Sequence, residues 1–181
     1  ELGSFYRVSK QACEKIIEEY QREFDLDYTI LRYGSLYGPR ANEFNFISDS
    51  LSQALKNKKI VRRGDGKEVR EYIHVKDAAR LSVDALDDKF RNKHLIITGH
   101  QQIRIKDLLI MIKEILGGEI EIEFGDEEEL YHYEITPYNY KPQIAKKIIP
   151  DTYYDLGQGL MDQIYDLGMT LDKENVSKKV S

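Results

Sequence analysis

The sequence predicts an α/β fold with a largely parallel sheet. Segments rich in β-branched and aromatic residues alternate with segments whose apolar residues recur every three or four positions, the pattern of strands joined by helical crossovers. Glycine-bearing turns punctuate the alternation. The 181 residues are 41% apolar and 33% charged, which suits one domain, or most of one, with a buried core.

The elements follow in order. Residues 4–24 read as a helix, because Val8, Ala12, Ile16, Ile17, Tyr20 and Phe24 recur at helical spacing, with Ser4 a candidate N-cap. Residues 27–33 read as a strand that runs into the glycine-punctuated loop 34–40. Residues 46–58 form a second helix, with Phe46, Ile47, Leu51, Ala54 and Leu55 on one side. Residues 63–67 are a turn and 69–75 a short strand. Asp77 is the expected N-cap of a third helix over 78–86. Residues 94–98 are a strand ended by Gly99. Residues 105–116 are a fourth helix, stopped by Gly117 and Gly118. Residues 119–124 alternate Glu with Ile or Phe, so this strand is half exposed. The four acids at 126–129 are a solvated loop. Residues 156–167 are a last helix, and the polar tail after Met169 is expected to fray. The domain is accordingly taken as residues 1–169, with 170–181 as tail.

Charge and composition exclude several classes. A net charge of −5 argues against a nucleic-acid binder, though not against a small anion held by one or two local arginines. A lone cysteine, Cys13, excludes an internal disulfide, fits a cytoplasmic setting, and is expected half-buried on its helix. The longest apolar run, Leu108 to Ile112, is far short of the ~20 residues a membrane span needs. His94, His100 and His132 show no metal-ligand spacing. A complete dinucleotide fold opens with a strand and a G-x-G-x-x-G turn. That string is absent, and Gly157-Gln158-Gly159 lacks the third glycine.

The chemistry-bearing pair is Tyr6 and Lys10, four apart and so on one helix face. A free tyrosine, with a pKa of ~10, is a poor base at neutral pH. A neighbouring ammonium favours the phenolate, and such a pair can move a proton to or from a substrate hydroxyl. In a chain with 13 tyrosines the spacing arises readily by chance, so its context matters. Tyr6-Arg7-Val8-Ser9-Lys10 is followed by Leu31-Arg32-Tyr33-Gly34-Ser35-Leu36-Tyr37-Gly38-Pro39-Arg40. Then comes Gly64-Asp65-Gly66-Lys67-Glu68-Val69-Arg70-Glu71-Tyr72-Ile73-His74-Val75-Lys76-Asp77-Ala78.

These three strings, in this order, resemble the extended short-chain dehydrogenase/reductase family, and within it the NAD-dependent epimerase/dehydratase branch that acts on nucleotide sugars. The resemblance covers roughly residues 6–116 and, more loosely, reaches 167. It implies the later half of a Rossmann-like parallel sheet interleaved with a small α/β substrate-binding lobe. The first βαβ units, the glycine-rich NAD turn and a Ser or Thr preceding the tyrosine would then lie outside this chain, which alone is expected to be inactive.

The resemblance also implies roles. Tyr6 is the acid/base on a sugar hydroxyl. Lys10 supports it and hydrogen-bonds the nicotinamide ribose. Gly34 lies beside the nicotinamide, and Tyr33 packs against the cofactor. Ser35 stands where many relatives have an Asn that contacts the sugar nucleotide. Asn45 and Phe46 face the diphosphate or sugar, and Arg70 binds the diphosphate through a two-bond fork. His74 supports the fold. A second nucleotide-binding Arg, common in relatives near residues 131–142, is not evident. Lys141 and Lys146 could replace its charge but read more simply as solvated. The implied cofactor is NAD and the implied partner a UDP-, dTDP- or GDP-linked sugar, with polysaccharide biosynthesis as setting. The apolar face of the first helix is compatible with the homodimerisation common in the family. A reductase, a decarboxylase or a non-catalytic nucleotide or NAD binder are the alternatives.

Overall fold

A computed structural model describes residues 4–125, 139–140 and 143–180. The elements are α1 (Ser4–Phe24), β1 (Thr29–Tyr33), β2 (Ser35–Tyr37), α2 (Phe46–Asn57), β3 (Lys59–Arg63), β4 (Val69–His74), α3 (Val75–Asp84), β5 (Lys93–Ile97), β6 (Gln102–Arg104), α4 (Ile105–Ile115), β7 (Glu121–Gly125), β8 (Asn139–Tyr140), β9 (Gln143–Ile144), β10 (Lys146–Ile148) and α5 (Leu156–Val180). The acidic run at 126–129, Lys141 and most of the 131–142 segment lie outside the described residues.

The α/β class is as predicted. One sheet is fully parallel, in the order β1-β5-β10. A second joins β2 to β4 in parallel and β4 to β6 antiparallel. A third pairs β3 with β7 in parallel. β1 and β2 are one chain path broken at Gly34, so the same strand passes from the first sheet into the second. The Gly34 amide donates to the Ile97 carbonyl (2.8 Å). A Cβ at Gly34 would lie 2.1 Å from Thr98 Oγ1, so the crossing point has no room for one.

The main core lies in the smaller lobe. Ile47, Leu51 and Ala54 of α2 meet Ile105, Leu108, Leu109 and Ile112 of α4, with Ile60, Ile120 and Leu160 closing the cluster. A second cluster, Ile73, Ala78, Leu81 and Ile97, seats α3 on the sheets. Burying such side chains, at ~1.5–3 kcal/mol each, is what holds the lobes together.

Four expectations need correction. Cys13 is exposed, not half-buried, because the side of α1 it occupies turns away from the sheet. His74, not Asp77, caps α3: its imidazole Nδ1 accepts from the Lys76 amide (3.3 Å), so the helix starts at Val75. Asp77 then falls in the first turn, where the helix dipole favours a carboxylate. There it is buried, and accepts from the Tyr154 amide (2.7 Å) and from Arg80 (3.0 Å). The segment expected to fray belongs to α5, which runs on to Val180. The loop expected at 34–40 contains β2, held by its pairing with Tyr72, Ile73 and His74.

Candidate active site

The site is built outward from α1. Its inward stripe is Arg7, Gln11, Glu14, Glu18 and Gln21, all polar, whereas Val8, Ile16, Ile17, Tyr20 and Phe24 are exposed. Glu14 receives Arg32 Nε on one carboxylate oxygen (2.8 Å) and Arg32 Nη2 on the other (2.6 Å). Glu18 lies one turn on and meets His94 of β5, which is in register with Ile30.

These contacts fix the direction of the helix. Four helical residues rise ~6 Å and two strand residues ~6.6 Å. Moving from Glu14 to Glu18 moves from the level of Arg32 back to that of Ile30, so α1 runs antiparallel to β1. One turn earlier, Lys10 comes level with Gly34. Tyr6 lies a turn beyond it, past the C-terminal end of β1. In open α/β sheets, ligands bind outside the carboxyl ends of the strands.

Tyr6 is 73% exposed, and among the described residues its hydroxyl has no hydrogen-bond partner. Lys10 Nζ lies 5.6 Å from its ring centroid, so the two side chains share one face. Ser9 is occupied locally, its hydroxyl donating to the Tyr6 carbonyl (2.8 Å).

The other expected residues fall into two groups. Gly34 and Ser35 stand at the crossing from β1 to β2. Tyr33 ends β1, half exposed, its hydroxyl 2.5 Å from Ser82 Oγ of α3. Arg70 is half-buried on β4, opposite Ile103 of β6, and one guanidinium nitrogen donates to the Val69 carbonyl (2.9 Å). Asn45 and Phe46 have structural work. Asn45 caps α2 by accepting from the Ser48 amide (3.2 Å), and its Nδ2 donates to the Leu36 carbonyl (2.7 Å). That second bond ties the start of α2 to the residue after Ser35. Phe46 packs on the main core beneath the Arg62 guanidinium, 5.1 Å from its ring centroid.

Two groups near the site were not singled out from sequence. The first is Glu71, fully buried on β4, which accepts from Lys147 of β10 (2.9 Å) and Gln102 (3.3 Å). The second is the face of α5 that grips the loop after β2. Gln163 accepts from the Gly38 amide (3.1 Å) and Asp166 from the Arg40 amide (2.8 Å), where Arg40 is held at φ 65°. His74 sits beneath that loop, stacked on Tyr154 with ring centroids 4.2 Å apart. Burial pushes its imidazole below the ordinary histidine range and outweighs the nearby Asp77. Burial also pushes the Tyr37 and Tyr72 hydroxyls well above the ordinary tyrosine range, so neither is a base near neutrality. No cluster of metal-ligating side chains occurs among the described residues, and no helix among them is long and apolar enough to cross a membrane.

Known proteins share this fold. Residues 2–98 match the model of the "NAD dependent epimerase/dehydratase family". The chain is 31% identical over 131 residues to a putative UDP-glucose 4-epimerase of Methanocaldococcus jannaschii, covering 70% of this chain and 42% of that protein. It is 29% identical over 146 residues to a UDP-N-acetyl-alpha-D-glucosaminuronate decarboxylase of Bacillus cytotoxicus, covering 78% of this chain and 45% of the other. Its fold superposes on a UDP-glucuronic acid 4-epimerase of Bacillus cereus, solved with UDP-glucuronic acid and NAD. The TM-score is 0.78 at 23% identity, over 91% of this chain and 52% of that one. The chain thus spans about half the length of the relatives it matches.

Proposed function

Because the chain belongs to the NAD dependent epimerase/dehydratase family, we propose that it is the part of a nucleotide-sugar epimerase or dehydratase that carries the proton-transfer pair and one phosphate anchor. The observation that carries this reading is the α1–β1 register. By that register Tyr6 and Lys10 fall toward and past the C-terminal end of β1, and among the described residues the Tyr6 hydroxyl has no hydrogen-bond partner.

The residues present fit NAD. Lys10 and Tyr6 offer a donor and a flat exposed ring on one face of α1, and the Tyr6 hydroxyl has no hydrogen-bond partner among the described residues. Lys10, Tyr33 and Gly34 would hold the nicotinamide end, and NAD would supply the electron-pair acceptor for transient oxidation of the sugar. Tyr6 Oη takes the proton of the sugar hydroxyl, at C4 in this reading, and returns it when the keto sugar is reduced. Lys10 stabilises the negative charge that develops on Oη in that step. Arg70 grips the diphosphate, so binding of the nucleotide fixes the sugar some distance away. Ser35 offers a hydroxyl to the same substrate. A decarboxylase would begin from the same proton transfer and a reductase would run it in reverse, Tyr6 giving its proton to the keto oxygen; the similarity to the B. cytotoxicus decarboxylase keeps the former class in view.

The test is Tyr6→Phe in the native polypeptide that carries this chain, purified with its NAD. Mixing with a UDP-linked sugar is expected to give a transient absorbance of the reduced cofactor in the wild type. The variant is expected to lose at least ~10²-fold of that rate, the usual contribution of a positioned acid/base, while still binding the nucleotide sugar. Full activity in Tyr6→Phe overturns the reading. A wild type that binds the sugar nucleotide with no absorbance change is a sensor and overturns it too.

A further inference from the structure

An apolar interface is non-directional, so a helix held by one can roll and slide on its sheet. The inward stripe of α1 contains no apolar residue, and its docking is carried by oriented charges. Arg32 and Glu14 meet through the two-bond fork described above, which fixes angle as well as distance. The pair is sheltered, with the Arg32 side chain 10% exposed and that of Glu14 14%. Solvent screening therefore weakens it far less than it would a surface pair.

His94 completes the cluster. Its Nδ1 lies 3.2 Å from Arg32 Nη2, and a guanidinium can only donate, so Nδ1 is the acceptor and the ring proton sits on Nε2. Nε2 faces Glu18 Oε1 at 3.0 Å, off the angle of a hydrogen bond. Lys15 holds the other Glu18 oxygen, and Tyr28 meets the His94 ring edge-on.

We propose that the Glu14–Arg32 fork, backed by His94 and Glu18, is the positioning device for the Tyr6–Lys10 pair. The inference rests on the reading of Tyr6 as the proton-transferring group. Tyr6, Lys10, Glu14 and Glu18 follow at four-residue intervals, so one rotation of α1 about its axis moves all four together. With side chains a helix has a radius of ~5–6 Å, so a rotation of ~10° displaces a tip by ~1 Å. A displacement of that size costs about 10²-fold in rate when the reacting groups are otherwise aligned. Glu14 and Arg32 touch no reacting atom, so they are positioning residues.

The experiment uses the same native polypeptide with its NAD. Glu14→Gln keeps the shape and removes the charge of the fork. It is expected to lower kcat about ten- to a hundredfold, with KM for the nucleotide sugar within about twofold. Arg32→Lys keeps the charge but not the fork, and is expected to lower kcat about tenfold with the same unmoved KM. It carries the test if Glu14→Gln fails to fold. Glu19→Gln, which breaks only the exposed pair with Arg22 on the same helix, is expected to change neither constant. An unchanged kcat in either folded fork variant, or a raised KM at unchanged kcat, overturns the proposal. If Tyr6→Phe is inactive in the same series, the proton-transfer reading survives that failure. If Tyr6→Phe is active, both fall together.

Discussion

Two glycines of α5 should respond in opposite directions to the same substitution. At Gly159 a Cβ would lie 2.4 Å from the Tyr37 hydroxyl oxygen and 2.7 Å from Tyr37 Cε2. Ordinary contact needs ~1 Å more. Tyr37 cannot yield easily. It is 2% exposed and meets Tyr72 and His74 edge-on. Overpacking of this kind costs ~1–3 kcal/mol, against the ~1 kcal/mol that alanine gains over glycine inside a helix. At Gly168 a Cβ would meet nothing within 4 Å, so only the gain applies. Gly168→Ala is expected to stabilise by ~0.5–1 kcal/mol, and Gly159→Ala to fall ~1–3 kcal/mol below it. For a chain of this size that separates the two melting temperatures by about 2–4 °C per kcal/mol. Urea denaturation of the two single variants measures the difference directly. Equal shifts would refute the argument that Gly159 is required by Tyr37. The expected loosening matters for the site, because the same face of α5 holds the Gly38 and Arg40 amides through Gln163 and Asp166.

Two further outcomes follow from buried charge. Lys147→Met leaves the carboxylate of Glu71 buried with Gln102 as its one partner among the described residues, and should cost ~3 kcal/mol. The double variant with Glu71→Gln should recover part of that in urea denaturation, and a single variant as stable as wild type would contradict the pairing. His74 should make stability fall with acid. Its folded-state pKa is lowered by burial, so the unfolded chain binds the extra proton first, and stability rises with pH through the window just below ~6.5. The slope is bounded at ~1.4 kcal/mol per pH unit for one proton. His74→Asn retains a capping side chain and should flatten that slope between pH 7 and 5. A slope left intact would assign it to other groups.

The sequence was most legible where one local pattern decided the outcome. The apolar period marks α2 and α4 to within a residue or two, and the Glu–Ile alternation places β7 with its glutamates outward. It was least legible where pairing decides. β2 lies inside a Gly/Pro-punctuated string and is a strand only because β4 lies beside it. β6 is the polar triplet Gln-Ile-Arg and depends on β4 in the same way. The Tyr6–Lys10 spacing could be read directly. Arg32 stood in a quoted string and Glu14 four residues after Lys10, but their meeting could not be read, because it needs the register of β1 with β5 and a histidine 62 residues away. On α1 the helical period was visible, yet the usual rule that the apolar stripe faces the core fails, since the polar stripe faces the sheet. Asn45 and Phe46 show the converse limit. A motif position says where a residue sits, while capping and core packing already engage both side chains here.

The two sheets must act as one body if binding at Arg70 is to help a reaction at Tyr6. Tyr6 belongs to the helix that the first sheet holds, and Arg70 to β4 of the second. Remote binding energy reaches the reacting centre only through a frame that does not bend between the two points. Three features meet at that joint. β1 becomes β2 at Gly34, whose amide is bonded to Ile97 and whose Cβ space is filled by Thr98. The Thr98 hydroxyl donates to the Glu71 carbonyl (3.3 Å), linking the end of β5 to β4. Lys147 of β10 reaches the Glu71 carboxylate, the strongest link because it is a charge pair away from water. A buried charge pair is a poor source of net stability, since desolvation offsets most of its attraction. Its use here is directional: it admits one relative placement of the sheets, and so one distance between Arg70 and Tyr6. The same logic governs the Glu14–Arg32 fork one layer away. In both places the fold spends sheltered charge where geometry has to be fixed, and leaves ordinary cohesion to the Ile and Leu residues of α2 and α4.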